Sequence, residues 1–183
     1  MRTEYSNWRK LDNAALAFPL VTGENDTRVF RFYCQLKEEV DSDILQQALD
    51  RTMEKYPLFQ AVLRKGLFWF YLEHSHIRAL VKPETEPPCS RLYIPDKKSL
   101  LFQVSYYKER INFEVFHALT YGTGAMHFLQ ELVQNYLILA HPKENFPEIG
   151  RDKKTGRGNI EEDSFSQYYS SDIPKNREKK KAA

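Results

Sequence analysis

A chain of 183 residues with 42% apolar and 28% charged side chains has room for one ordinary domain and enough apolar surface for a core, which excludes wholesale disorder. Aromatics reach 14%, with 12 Phe, 11 Tyr and 2 Trp, a composition that favours sheet-rich packing around large side chains. The net charge of +2 is gathered at one end, where Lys175, Arg177, Lys179, Lys180 and Lys181 accompany a lone Glu178; this excludes the basic folded face that nucleic-acid binding needs. No apolar run approaches the roughly 20 residues of a membrane span. The opening residues Met1 to Tyr5 lack the apolar stretch of a secretory signal. Cys34 and Cys89 form neither a CxxC pair nor a disulfide framework, and the chain reads as soluble and cytoplasmic.

Composition changes near Pro142. Residues 1–142 are dense in apolar and aromatic side chains and are expected to fold; residues 143–183, rich in Lys, Glu, Ser, Gly and Asn, read as a linker or mobile basic tail. Within the first part, residues 27–36 (TRVFRFYCQL) suit a strand buried on at least one face. Asp41 is the expected N-cap of a helix in which Ile44, Leu45, Ala48, Leu49, Met53 and Tyr56 recur at helical spacing, opposite Gln46, Gln47, Asp50, Arg51 and Glu54. Pro57 ends it, because proline disfavours α geometry at Tyr56. Residues 59–64 and 67–73 read as two short strands around Lys65-Gly66, with Trp69 and its aromatic neighbours expected in the core. A Pro-rich connection follows, and residues 100–107 and 110–117 then form a hairpin turning at Lys108-Glu109. In its second strand Ile111, Phe113, Val115 and His117 share one face; Asn112, Glu114 and Phe116 share the other. A second amphipathic helix carries Ala125, Phe128, Leu129, Leu132, Val133 and Tyr136 on one stripe. The order implies an α+β fold, a two-layer sandwich of a mixed, largely antiparallel sheet with helices packed on it.

The informative stretch is residues 116–125 (FHALTYGTGA). A histidine at a strand end, then a short turn and a glycine before a helix, puts an imidazole at a sheet edge with a rigid floor and an open side. Neutral imidazole, with an ordinary pKa of ~6.5, can accept a proton from an alcohol or amine near neutrality. Gly122 and Gly124 are expected to supply close backbone approach and positive φ. A packed structural histidine is the competing reading of the same residues. His74 and His76 would share a strand face, but no third ligand lies near to complete a metal site. His127 is expected on the surface or at a rim; Cys34 packs as a small hydrophobe and Cys89 lies in a loop.

Residues 117–124 (HALTYGTG) resemble the His-x-x-x-Asp-Gly motif of the CoA-dependent acyltransferase superfamily, whose members include chloramphenicol acetyltransferase, alcohol acetyltransferases and the condensation domains of nonribosomal peptide synthetases. The likeness is nearest to bacterial alcohol acetyltransferase and condensation-domain proteins. It is supported by residues 8–15 (WRKLDNAA), 29–32 (VFRF), 48–50 (ALD), 56–59 (YPLF), 102–107 (FQVSYY) and 110–113 (RINF), with weaker echoes at 163–169. The resemblance implies that residues 1–142 are an N-terminal lobe, and that residues 143–183 begin a second lobe supplied by another chain, by further residues or by a homo-oligomer. It implies His117 as general base for acyl transfer from an acyl-CoA or acyl-carrier thioester, as co-substrate, to a small-molecule alcohol or amine, with no tightly bound cofactor and no metal. Tyr121, Gly122 and Gly124 are the supporting motif positions. Tyr121 stands where the family has an aspartate that braces the loop by pairing with an arginine, so a non-catalytic binding or interaction protein derived from the family is the alternative.

Overall fold

The computed structural model describes residues 8–11, 15–67 and 69–146. The tail beyond Phe146 and the echo at 163–169 lie outside the described residues, as do the flanks of the opening segment. In chain order the elements are β1 (Trp8–Lys10), α1 (Ala17–Val21), β2 (Val29–Gln35), α2 (Ser42–Lys55), β3 (Ala61–Lys65), β4 (Phe70–His74), β5 (Lys82–Pro83), β6 (Phe102–Tyr107), β7 (Arg110–Phe116) and α3 (Gly122–Ala140). A short 3-10 turn, Pro57–Phe59, follows α2.

The expected mixed, largely antiparallel arrangement is present, divided between two sheets. A four-stranded sheet runs β2-β7-β6-β5 and a three-stranded one runs β1-β4-β3. Every pairing is antiparallel except β5 with β6. Among the described residues one isolated bridge joins Val62 of β3 to Leu100, two residues before β6. The elements β1, α1 and β5 have too few residues to show a hydrophobic period, and the sequence reading did not foresee them.

The helix α2 begins as its residues dictate: the Asp41 carboxylate accepts from the amides of Asp43 and Ile44 at 2.9 and 3.0 Å. Its buried stripe is Leu45, Ala48, Leu49 and Thr52. Thr52 is buried because its hydroxyl is satisfied twice, donating to the Ala48 carbonyl (2.8 Å) and accepting from Asn135 Nδ2 on α3 (3.0 Å). At the far end Lys55 pairs with Glu131, which explains a carboxylate on the inner side of α3.

One face of the larger sheet carries the aromatic core. The Phe113 ring stacks on Phe128 of α3 at 4.6 Å, and Phe59 meets Phe128 at 4.4 Å, with Phe102 closing the group. The other face is covered by the long connection between β5 and β6. Glu84 pairs with Arg31 and Arg110, Cys89 donates its amide to Glu114, and Tyr93 stacks on Phe116 at 5.5 Å. This explains why β7 is buried on both sides, with Asn112 and Glu114 enclosed beside Phe113 and Val115. Trp69 is not in the core as expected: it is 53% exposed near the β3–β4 turn, where the Gly66 amide donates to its carbonyl, while Phe70 and Leu72 point inward by strand alternation.

Candidate active site

β7 ends at Phe116, and His117 opens the turn that leads to α3. The turn is pinned just before β2, where the His117 amide donates to the Arg28 carbonyl at 2.9 Å. The imidazole rests between two aromatic rings: it stacks on Phe18 of α1 at 5.0 Å and tilts against Phe30 of β2 at 4.4 Å. Its Nδ1 is buried with no hydrogen-bond partner. His117 is half-buried and is among the residues that line an open cavity of about 600 Å³, with Thr27, Arg28 and Cys89 and with the exposed Glu24 and Asp26. Burial pushes the His117 pKa below its ordinary 6.5, and the nearby Arg28 guanidinium pushes it the same way. A neutral imidazole at pH 7 is the chemical result, and neutral imidazole is the form that accepts a proton.

The walls of this cavity are held in an uncommon backbone shape. Arg28 (φ 53°) and Cys89 (φ 60°) both occupy the left-handed region that side chains with a Cβ rarely adopt. Each is restrained locally. Asp26 pairs with the Arg28 guanidinium at 2.9 Å and accepts its amide at 3.3 Å. Cys89 donates its amide to Glu114 Oε1 at 2.7 Å, and its carbonyl accepts from Thr27 Oγ1 at 2.7 Å. The Cys89 thiol has a raised pKa from burial and the adjacent Glu114, with Arg31 opposing, so it stays protonated at neutral pH.

The other predicted positions fall as follows. Tyr121 is the N-cap of α3 with extended backbone (φ −86°, ψ 172°); its carbonyl accepts from Ala125 at 3.0 Å, and its side chain makes no capping hydrogen bond. Gly122 and Gly124 both lie in the first turn of α3, and no glycine among the described residues has positive φ, which corrects the expectation that they supply it. A Cβ at Gly122 would meet only the Phe32 ring, at 3.9 Å, an ordinary contact, so close approach does not require glycine there either. The rings of His74 and His76 lie 5.4 Å apart, and among the described residues no three metal-ligating side chains come together. His127 is half-buried on α3, far from the turn in role, its carbonyl accepting from Tyr56 at 3.2 Å. Cys34 is half-buried with its pKa raised by burial. Sequence reasoning missed Phe18, Thr27, Arg28 and the role of Cys89 and Glu114. The one readable signal was an acid, Glu114, set between Phe113 and Val115 in the middle of a strand.

No family model matches the sequence, and neither does any curated protein. The fold, in contrast, is similar to solved structures. The starter condensation domain of rhizomide synthetase RzmA matches with a TM-score of 0.61 at 11% identity, over 78% of this chain and 40% of that one. Polyketide synthase associated protein 5 from Mycobacterium tuberculosis matches with a TM-score of 0.56 at 18% identity, over 78% and 36%. The tallysomycin biosynthesis protein TlmII matches with a TM-score of 0.56 at 13% identity, over 79% and 44%. A double mutant of the RzmA domain was solved in complex with C8-CoA and Leu-SNAC. This chain therefore has the fold of one lobe of condensation-type structures and spans about 40% of the length of the RzmA domain. Among its described residues no helix is long and apolar enough to cross a membrane.

Proposed function

We propose that this chain is the N-terminal lobe of a CoA-dependent acyltransferase of the condensation or alcohol acetyltransferase type, with His117 as its general base. The observation that carries the reading is the placement of His117: a strand-end imidazole, gripped by Phe18 and Phe30 and open on one side to a cavity, on a fold shared with condensation domains. Burial of Nδ1 leaves Nε2 as the nitrogen to meet an acceptor. In the proposed reaction Nε2 removes the proton of an alcohol or amine as its oxygen or nitrogen attacks the thioester carbonyl. The carbon–sulfur bond then breaks, and the leaving thiolate takes the proton back from the imidazolium. Proton removal of this kind contributes about 10²–10⁴-fold, and holding acceptor and thioester in line adds to it. A second lobe, from another polypeptide or from further residues, supplies the facing wall and the donor contacts. The test is turnover of acyl-CoA against a panel of alcohols and amines by this lobe together with its second lobe, as the parent protein and as His117→Ala. A loss of about 10²–10⁴-fold is expected; equal rates remove the catalytic role.

A second reading is favoured by Tyr121. A phenol cannot form the carboxylate–arginine pair that the family's loop uses, which fits a lobe that kept the fold for binding and lost the chemistry. That reading expects acyl-CoA binding without turnover, unaffected by His117→Ala. Turnover restored by Tyr121→Asp would instead mark a disabled enzyme.

A further inference from the structure

Both left-handed residues that line the His117 cavity are non-glycine, and one of them, Cys89, is gripped from two directions by side chains outside the catalytic turn. We infer that Glu114 is a positioning residue for the proposed acyl transfer: it acts through the Cys89 amide, with Thr27 on the Cys89 carbonyl, to hold the wall of the cavity into which His117 opens. The inference rests on the acyltransferase reading for its chemistry and on the observed hydrogen bonds for its geometry.

Glu114 is 3% exposed and sits on β7 directly opposite Arg31 of β2. One carboxylate oxygen, Oε1, takes the Cys89 amide at 2.7 Å and lies 3.4 Å from Arg31 Nε, an ion pair that falls short of hydrogen-bond geometry. The other, Oε2, accepts from Gln103 at 3.5 Å. Arg31 is anchored in turn by Glu84, which also takes Arg110 at 2.7 Å and Asn112 at 3.3 Å. A buried carboxylate is costly unless paired and hydrogen-bonded. Here the pairing fixes the connection between β5 and β6 at both ends of one network, Glu84 at its start and Cys89 where it reaches the cavity. A left-handed non-glycine residue persists only where its surroundings over-determine it, and such positions gather at functional sites. Glu114 touches no reacting atom. Its effect on His117 runs through the wall, by limiting how much water and how many acceptor orientations the cavity admits.

The experiment uses the full chain carrying Cys34→Ser, so that Cys89 is its remaining thiol, with Thr27→Val and Glu114→Gln as separate variants. Iodoacetamide alkylation of Cys89 is followed over a pH series, which separates access from thiolate fraction, since removing the Glu114 charge also changes the latter. His117 is titrated by NMR in the same proteins. Both variants are expected to speed thiolate alkylation about fivefold, the scale of one lost side-chain hydrogen bond. The His117 midpoint should rise toward its ordinary value as water enters. Where acyl transfer is measured, acceptor KM should rise by a similar factor with kcat within about twofold. Thr27→Val leaves every buried charge in place, so it reads the wall even if Glu114→Gln folds poorly. Unchanged alkylation in Thr27→Val overturns the clamp, and altered alkylation with unchanged His117 titration overturns the positioning role. Absence of acyl transfer in the parent protein assayed with its second lobe overturns the acyltransferase reading alone, because alkylation and titration still decide the clamp.

Discussion

His117 combines three properties that ordinarily conflict. It is packed against two aromatic rings, it keeps a buried ring nitrogen without a partner, and it still faces an open cavity. Burial and the Arg28 charge both favour the neutral ring, so its NMR titration midpoint should lie below 6.5. Arg28→Gln should move that midpoint upward without restoring it fully, because burial remains. The consequence for stability has a definite sign. As pH falls below about 6.5 the unfolded chain takes up the proton first, so His117 removes stability between that value and its folded midpoint and contributes no such loss above it. A urea unfolding series between pH 5 and 7 checks this, and Arg28→Gln should lessen the loss.

The motif turn feeds α3, and its helix start is unusual. Tyr121 occupies the N-cap and provides no side-chain acceptor for the first-turn amides. An aspartate there would cap the helix and sit favourably at its positive end, together worth about 1 kcal/mol. Tyr121→Asp should therefore slow amide exchange at Thr123 and Gly124, even where loss of the half-buried phenol ring cancels the gain in overall stability. Farther along the same helix, Phe128 is fully buried among Phe59, Phe102 and Phe113. Phe128→Ala should cost about 3–5 kcal/mol in denaturant unfolding, as removal of a core aromatic does. The elements with a long period were legible from residues alone: the Asp41 cap, the α2 stripe and the turn at Lys108-Glu109 all stand where the pattern puts them. Thr52 and Glu131 were not, because each is buried on the strength of a partner on the other helix, and pairwise satisfaction leaves no trace in periodicity.

Across the molecule, the larger sheet is insulated on both faces by different materials, aromatic side chains under α3 and a charged network under the β5–β6 connection. Sequence resemblance gave the lobe-like fold and singled out His117 as a candidate; it gave no hint of the opposite face, whose logic is a set of contacts between residues far apart in the chain. Within that network burial raises the Glu84 pKa while Arg31 and Arg110 outweigh it, leaving the carboxyl below its ordinary 4.5. Glu84 therefore contributes stability above about pH 4.5 that is lost as pH falls through its folded midpoint. Arg31→Met should be far more damaging than a surface change, about 3–5 kcal/mol, because it strips the buried Glu114 of its Arg31 partner and leaves Glu84 with Arg110 alone.

Cys89 carries one more implication, for thermal tolerance. Glycine adopts its backbone angles without the roughly 1–2 kcal/mol that a Cβ costs there, against about 0.5–1 kcal/mol of extra freedom in the unfolded chain. A Cys89→Gly protein should thus melt slightly higher than its parent while its cavity lining becomes more pliable, a trade in which gained robustness and lost stiffness come from the same missing methylene.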